Sequence, residues 1–346
     1  MGLSYEMTPD YHERTRVMVY WGFFTMLGNL GINWYYPLTE HKQWFDNPLE
    51  GARVVSLVVG VALFIGLGLL PGLFARERFY HAVAKQEKIR LLPAILETLR
   101  SRPMLMLLGM TLSLAFVGAM AAALALYIVM FYVCGGDREV GSILNAWNGV
   151  GFQIVGFALL PLLPWLARRV GKRGLMLGVL SLAALGGVAK WFIFSPDLFF
   201  DVSLPSWLSD DTLRLHALLL DPLLSGPIWV ALGVIVPSMM ADLCDVDEYE
   251  YGKRREGIFG AVFLWMQKIG FSLTFLFTGL AIWLSGFNER LGADQPENTL
   301  FVMRLCFAGF STLAMLLGMV FLLFYSVSER RAYEVRTLLE QRRGKA

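Results

Sequence analysis

Long apolar stretches alternate with short charged clusters along the whole chain, and this alternation constrains its fold more than any other feature. A helix that crosses a bilayer needs roughly 20 mostly apolar residues, and its backbone polar groups must be satisfied within the helix. Eight stretches are long enough: 17–37, 54–75, 104–134, 142–167, 174–195, 218–241, 258–286 and 300–326. We therefore predict an all-α polytopic membrane protein with eight transmembrane helices.

The composition agrees with that class and disfavours others. Hydrophobic residues make up 56% of the chain and charged residues 17%, whereas soluble domains have roughly 45–50% and about 25%. A net charge of +2 lacks the basic excess of nucleic-acid-binding proteins. The three cysteines lie far apart, which disfavours a disulfide framework or a zinc site. Hydrolase and nucleotide-binding motifs are absent from the sequence, so we expect no enzyme and no cofactor besides a coupling cation.

The positive charges predict an orientation. Most of the 30 Lys and Arg residues fall in alternate connections between the spans, chiefly 76–102, 168–173, 253–255 and 328–346. The positive-inside rule places such connections in the cytoplasm. We therefore expect a multi-pass protein of the inner or plasma membrane with both termini cytoplasmic.

The longest charged connection divides the chain unequally. Residues 76–102 predict a cytoplasmic linker with an amphipathic helix on the membrane surface. Two spans lie before it, in 1–75, six spans lie after it, in 103–327, and a cytoplasmic tail follows at 328–346. Because transporter folds usually consist of matched repeats, we interpret 1–75 as the remnant of an N-terminal bundle and 103–327 as a C-terminal six-helix bundle.

Polar side chains inside the predicted spans are the first candidates for a binding site. A charge at the bilayer centre costs at least about 2.5–3.5 kcal/mol, and Lys268 lies near the middle of its span, next to Gln267. Asn145 and Asn148 fall early in another span, where they could line a cavity or join helices. We predict these four as substrate or coupling residues.

Three other charged residues lie nearer the ends of their spans. Lys190 and Arg304 are close enough to an end for their side chains to reach the interface. Asp221 stands at the N-terminal end of its helix, where a carboxylate is favourable. We interpret all three as interfacial residues, with a functional role as the less favoured interpretation.

Acidic residues recur at three-residue spacing after the sixth span, so that they share one helical face. Basic residues of 168–173 belong to a connection that we expect on the same side. Charge-assisted hydrogen bonds between the two groups could hold two bundles together and break when the protein changes state; ordinary solvated loop charge would also explain the pattern. The predicted cytoplasmic gate contains Asp242, Asp245, Glu248, Arg168 and Arg169, with Lys172 and Arg173 beside them.

The stretch 241–268 resembles the glycoside–pentoside–hexuronide cation symporters, the melibiose-permease-like branch of the major facilitator superfamily. The signature of that family reads D-x-x-D-x-x-E, then R-x-E, then a lysine within the following helix. The segment TPDYHERTR is similar to the family's cytoplasmic connection after the fourth helix, RSRPMLMLL to its entry to the seventh helix, and LARRVGKRG to its loop between the eighth and ninth helices. The signature positions here are Asp242, Asp245, Glu248, Arg254, Glu256 and Lys268.

The resemblance implies that the chain forms the C-terminal two-thirds of a twelve-helix fold and lacks the first four helices. It implies a place for Lys268 in the central cavity, and it adds Arg254, Glu256 and either Glu13 or Arg14 to the gate. The family's cation-binding carboxylates belong mainly to the second and fourth helices. We therefore expect the site of the coupling cation, sodium or proton, to lie outside this chain.

The resulting functional expectation is a secondary active transporter. It implies cation-coupled symport of a sugar or glycoside by alternating access, with poor or no transport by this chain alone. Tyr20-Trp21-Gly22 replaces a basic residue of the sugar-transporting melibiose permeases, so the solute could instead be a lysolipid or another amphiphile. The chain could also be a complete eight-helix protein that dimerises, or a fragment that does not transport. An intramembrane enzyme is disfavoured.

Overall fold

The computed structural model describes residues 24, 27–41, 44–69, 73, 100–200, 215–251, 256–292 and 294–343. Within these ranges the chain is almost entirely helical, and residues 27–33 are helical as well as the numbered elements. The helices are α1 Tyr35–Thr39, α2 Pro48–Val59, α3 Arg102–Val133, α4 Arg138–Leu159, α5 Leu162–Ile193, α6 Asp221–Tyr251, α7 Glu256–Leu284, α8 Glu297–Leu323 and α9 Glu329–Arg343. Two-residue strands, β1 Phe199–Phe200 and β2 Leu215–His216, pair antiparallel between α5 and α6.

Five helices of the described residues are long and apolar enough to cross a membrane. They are Arg102–Val133, Trp165–Ile193, Ala217–Glu250, Gly257–Leu284 and Glu297–Leu323. These helices confirm the predicted all-α membrane architecture.

Three of the eight predicted spans stay predictions. Residues 142–167 are largely helical but do not form one of the five spanning helices. Residues 54–75 continue α2 through a π-helical segment, Gly60–Leu67, and end partly outside the described residues. Residues 17–23, 25 and 26 of the predicted span 17–37 lie outside the described residues, as does nearly all of the predicted linker 76–102.

A side-chain cap explains why α4 begins at Arg138, before the predicted start of that span. The Asp137 carboxylate accepts hydrogen bonds from the backbone N–H groups of Glu139 and Val140, at 3.1 and 3.3 Å. An aspartate in this position satisfies N–H groups that have no partner within the helix. The predicted start rested on hydropathy alone, which gives no weight to a polar cap.

Gly171 produces a sharp break within α5. Its φ of 74° and ψ of 156° are non-helical, and glycine adopts positive φ without the steric cost of a Cβ. The helix therefore changes direction inside the segment LARRVGKRG, where the sequence predicts a connection between two spans. Lys172 and Arg173 follow the break directly.

Helix α3 contains two π-helical turns, Leu114–Gly118 and Ile128–Val133. A π turn widens the helix and loosens its regular hydrogen bonding, and such turns are frequent at functional sites. The Thr274 hydroxyl of α7 lies 3.2 Å from the carbonyl oxygen of Ala115 and 3.1 Å from that of Phe116. The same hydroxyl lies 3.0 Å from the carbonyl oxygen of Gly270 in its own helix, so its single proton is shared among three carbonyl groups. The contact joins α3 to α7.

Contacts between helix ends define the two ends of the bundle and show that α5 and α8 run antiparallel. At one end, which we call the Gly171 end, the Arg173 guanidinium donates to the carbonyl oxygen of Leu323 at 2.8 Å. At the other, which we call the Asp221 end, Arg138 forms an ion pair with Glu289 at 3.0 Å. The Gly171 end corresponds to the side that the charge distribution predicts to be cytoplasmic.

Two buried apolar clusters make up the core. The larger one lies toward the Gly171 end and includes Met104, Leu107, Met176, Leu180, Ile228 and Phe259. The smaller one lies toward the Asp221 end and includes Leu124, Ile128, Ile193, Phe194, Leu218 and Phe307. Helix α9 packs on the last turns of α6 through Val335 and Leu339, which contact Val246.

Candidate functional site

A cavity of about 210 Å³ lies where the two apolar clusters meet. Its walls contain Ala121 and Phe307 of the smaller cluster and Ala183 and Met315 of the larger one. The cavity is nevertheless polar on one side, since amide, hydroxyl and charged side chains reach it. These polar lining residues are Asn33, Asn145, Asn148, Lys190, Asp221, Ser225 and Ser311.

An ion pair between Lys190 of α5 and Asp221 of α6 forms the charged part of this wall. The Lys190 ammonium donates to Oδ1 of Asp221, and the Ser225 hydroxyl donates to the same oxygen at 2.7 Å. The Lys190 side chain is 9% exposed and the Asp221 side chain 4%. Charges buried this deeply are normally paired, and in a membrane bundle they mark pathways for substrates and ions.

Two aromatic rings enclose the ammonium group. Lys190 Nζ lies 5.6 Å from the ring centroid of Phe194 and 5.4 Å from that of Phe307. At these distances a cation is attracted by the electron-rich face of the ring. The lysine is therefore held by one carboxylate and two rings.

Asp221 has a fixed position because the backbone before it is tied to α4. The Asn148 amide donates to the carbonyl oxygen of Leu218 at 2.8 Å, within the 3₁₀ turn Ala217–Leu220 that precedes α6. Gly186 allows Ser225 of α6 to approach α5 closely, because a Cβ at position 186 would lie 2.8 Å from Ser225 Oγ. Contacts of three helices, α4, α5 and α6, therefore position the ion pair.

Asn33 brings the N-terminal part of the chain to the cavity. A Cβ on Gly149 would lie 2.4 Å from Asn33 Cγ, so only glycine permits this approach, and Trp34 packs edge-to-face on Trp147 at 5.7 Å. The Asn33 Nδ2 group is buried, with no hydrogen-bond partner among the described residues. An unpaired buried amide is costly, and this N–H group is available to a molecule bound in the cavity.

Arg304 lies beside the cavity wall on α8. Its guanidinium donates to the carbonyl oxygen of Trp191 at 2.8 Å and lies 4.4 Å from the Trp191 ring centroid. On the other side it lies 4.2 Å from the ring centroid of Tyr132. Arg304 therefore joins α8 to α5 at Trp191, the residue that follows Lys190.

A second ion pair joins α5 and α6 at the Gly171 end. Lys172 Nζ lies 2.5 Å from Asp242 Oδ2 and 3.4 Å from the carbonyl oxygen of Ser238. Close by, the Tyr325 hydroxyl lies 3.4 Å from the carbonyl oxygen of Met239. Burial, with the nearby Asp242 charge as a smaller cause, raises the pKa of Tyr325, so this hydroxyl stays neutral and donates.

The structure places the predicted gate residues in different settings. Asp242 pairs with Lys172, which is the neighbour of the predicted partners. Arg168 and Arg169 are exposed, and the Arg169 guanidinium stacks over Trp165 at 4.3 Å. Asp245 and Glu248 are half-buried, and Glu256 begins α7. Arg254, Glu13 and Arg14 lie outside the described residues.

Of the four predicted substrate residues, Asn145 and Asn148 line the cavity. Lys268 is exposed on α7 and Gln267 is half-buried, and neither is among the described residues that form the lining. Their role in substrate binding stays a prediction.

The pair of Lys190 and Asp221 was not predicted from the sequence. Both residues were interpreted as interfacial, and the structure shows that interpretation to be wrong for the ammonium and the carboxylate, which are buried against each other. A signal was present: opposite charges near the same end of two consecutive antiparallel spans are expected to meet. Hydropathy assigned each residue to an end but did not identify what faced it.

The described residues form long apolar helices around a partly polar cavity, and comparison with known proteins gives the family. The chain belongs to the MFS/sugar transport protein family, whose model matches residues 1–329. An uncharacterized symporter of Synechocystis is 26% identical over 264 residues, which cover 74% of this chain and 44% of that protein. An uncharacterized symporter of Bacillus subtilis is 23% identical over 358 residues, covering 98% of this chain and 68% of that protein.

Both relatives are named symporters, which agrees with the predicted class of protein, a transporter. The chain spans less than half the length of the Synechocystis relative. The family also confirms the resemblance to major facilitator sugar symporters that the segment 241–268 suggested.

Proposed function

We propose that the protein is a secondary active transporter that moves a sugar or glycoside together with a cation, sodium or proton, by alternating access. The observation that carries this proposal is the cavity between the two apolar clusters, because it is the place where polar groups gather inside an apolar bundle. Few, well-placed polar groups in an apolar pocket are typical of small-molecule sites. The family membership supports a sugar as the solute.

The amides of Asn33 and Asn145 suit a hydroxylated solute. Each amide offers two donors and one acceptor oxygen, which match sugar hydroxyl groups. Asn33 Nδ2 is buried without a partner among the described residues, so a solute hydroxyl oxygen would satisfy it. Lys268 and Gln267 contribute to this binding or coupling in our proposal through the exposed face of α7.

Alternating access requires contacts that close one end of the cavity and then break. The Lys172–Asp242 pair suits this role, since both side chains are about a third exposed and remain within reach of water when the pair opens. We propose the Gly171 end as the cytoplasmic gate, together with the remaining predicted residues of 241–256. The protein then lies in the inner or plasma membrane, with both termini in the cytoplasm.

Uptake into liposomes tests the proposal. The protein as the cell produces it would be reconstituted and supplied with labelled hexoses, pentoses and glycosides under an inward sodium gradient or an inward proton gradient. We expect one solute to accumulate above its external concentration under one gradient and not without it. Failure of every solute under both gradients, with monodisperse protein, would overturn the proposal.

Matched asparagine variants test the cavity as the binding site. We expect Asn145→Leu to lower uptake at subsaturating solute about 5- to 30-fold, since one or two lost hydrogen bonds are worth roughly 1–2 kcal/mol. The control is Asn298→Leu, because Asn298 is exposed on the first turn of α8. Equal uptake by the two variants would contradict a binding role for the cavity.

Lys268 has its own test. We expect Lys268→Cys to abolish net uptake while the protein still inserts in the membrane, because a charge at that depth needs a functional reason. Uptake and surface labelling are measured in parallel. Near-normal uptake would show that Lys268 is a structural or interfacial residue.

A further inference from the structure

The buried pair at the cavity contributes little net free energy to the contact between α5 and α6. Desolvation of two charges offsets much or all of their attraction, and packed apolar side chains often replace such pairs without loss of stability. Packing alone therefore does not explain Lys190 and Asp221, whose side chains are 9% and 4% exposed. The groups around the pair indicate a second state.

Ser225 is compatible with both protonation states of Asp221. In the structure its hydroxyl donates to Asp221 Oδ1 at 2.7 Å, as suits an ionised carboxylate. A hydroxyl also has two acceptor lone pairs, and a protonated carboxyl has one O–H to donate. The same two groups therefore remain hydrogen-bonded after Asp221 takes up a proton, with the donor reversed.

The Lys190 ammonium also keeps favourable contacts when the Asp221 carboxylate is neutral. Phe194 and Phe307 keep their ring faces within 5.6 Å of its ammonium, and such contacts attract a cation without a counter-charge. Lys190 lines the cavity, so its N–H groups are next to the space for a solute. Loss of the carboxylate charge releases donors toward that space.

The charged surroundings of the pair are simple. Arg304 of α8 lies beside it, tied to the Trp191 carbonyl oxygen and stacked between Trp191 and Tyr132. Helix α4 presents the amides of Asn145 and Asn148 to the cavity, and α8 presents the Ser311 hydroxyl. A proton that arrives at Asp221 thus acts chiefly on its contact with Lys190.

We infer that Asp221 is the acceptor of the coupling proton and that Lys190 is its internal counter-ion, so that protonation opens the pair and turns the Lys190 ammonium toward solute oxygens in the cavity. This inference rests on the proposed function and specifies its coupling ion. The proton forms an O–H bond at the Asp221 carboxylate on one side of the membrane. It leaves from the same carboxyl on the other side, after which Lys190 pairs with Asp221 again.

A proton suits this arrangement better than a sodium ion. Asp221 Oδ1 already accepts from Lys190 and Ser225, so a sodium ion at this oxygen would compete with both donors, whereas a proton needs one lone pair on either carboxylate oxygen. The assignment also differs from the expectation that the coupling site lies outside this chain.

Infrared difference spectroscopy tests the inference without any solute. Reconstituted protein would be brought from neutral to mildly acidic buffer while the C=O stretch of protonated carboxylic acids is recorded. We expect one carboxyl component to appear in the wild type and to be lost in Asp221→Asn. It should persist in Glu289→Gln, which removes an exposed carboxylate from the Arg138 pair, and it should be insensitive to sodium.

Lys190→Gln keeps the inference testable if Asp221→Asn fails to fold. Without the ammonium, an ionised Asp221 would be a buried and uncompensated charge. We therefore expect its carboxyl component to be present already at neutral pH in this variant. A wild-type spectrum in both variants, or displacement of the component by sodium, would overturn the inference and leave only a structural ion pair.

Transport assays separate failure of this inference from failure of the proposed function. With a solute found in the gradient screen, we expect Asp221→Asn to lose at least about tenfold of proton-driven accumulation yet retain solute exchange between equal internal and external pools. Sodium-driven accumulation that is independent of the proton gradient would overturn the proton assignment while the transporter proposal stands. Proton-driven accumulation of solute by Asp221→Asn would also overturn the assignment of Asp221 and leave the transporter proposal standing.

Discussion

Helices α5 and α6 are joined by one lysine–aspartate pair at each end, and the two pairs differ mainly in burial. The Lys172–Asp242 pair near the Gly171 break has side chains 31% and 27% exposed. The Lys190–Asp221 pair at the cavity has side chains 9% and 4% exposed. We call them the outer pair and the inner pair.

The same chemical contact has different consequences in the two places. Water and ions screen the outer pair, so each partner is solvated when the contact opens. The inner pair is in an apolar wall, so either charge left alone is expensive. One contact can therefore open and close as the protein moves, whereas the other opens when its charge changes.

Removal of one inner partner should produce the largest effect. We expect Asp221→Ala to lower the free energy of unfolding by about 3–5 kcal/mol, because Lys190 is left as a buried charge. The double variant Lys190→Met with Asp221→Leu should recover most of that loss. Thermal unfolding in one detergent compares them, and equal stability of the single variant and wild type would mean that the inner pair is not buried in the membrane-embedded protein.

Close packing next to the inner pair gives an intermediate effect. A Cβ on Gly187, three residues before Lys190, would lie 2.7 Å from the backbone nitrogen of Thr312 on α8. Overpacking of this kind costs typically about 1–3 kcal/mol, so we expect Gly187→Ala to lower the free energy of unfolding by that amount and to weaken transport.

Gly178 provides the matched control on the same helix. A Cβ there meets no atom within 4 Å, and alanine favours a helix over glycine by up to about 1 kcal/mol. Gly178→Ala should therefore leave the unfolding temperature unchanged or raise it. A similar loss in both variants would show that α5 responds to helix propensity and not to its contact with α8.

The contrast between the pairs also shows what the sequence could predict. Hydropathy predicted the five confirmed spans because burial in a bilayer depends on segment length and composition. Charge spacing predicted an acidic face that includes Asp242. It placed the basic cluster Arg168, Arg169, Lys172 and Arg173 opposite this face and chose Arg168 and Arg169 as the gate residues. Spacing did not distinguish Lys172, because the direction of side chains around Gly171 depends on a backbone break.

The cavity was harder to predict. Asn145 and Asn148 were identified because amides are unusual in an apolar span, whereas Lys190 and Asp221 had an adequate local explanation at the ends of theirs. Their pairing depends on the alignment of α5 with α6, which glycines such as Gly186 permit through close contacts. Pairwise packing of this kind is a property of two helices together, so the pattern within one segment does not reveal it.

The smallest expected effect is on the outer pair. We expect Asp242→Asn to change the free energy of unfolding by about 0–1 kcal/mol, because partly exposed ion pairs contribute little, and to alter the rate of transport instead if the pair is a gate contact. Lys172→Gln should behave in the same way, and the double variant should add little, since either single change already breaks the contact. Unfolding at low and high salt measures the difference directly: the outer pair should weaken with salt while the inner pair does not. A decrease of several kcal/mol in the free energy of unfolding of Asp242→Asn would contradict the distinction between the outer and inner pairs. Both pairs would then stabilise the contact between α5 and α6, and neither would open without a change of charge.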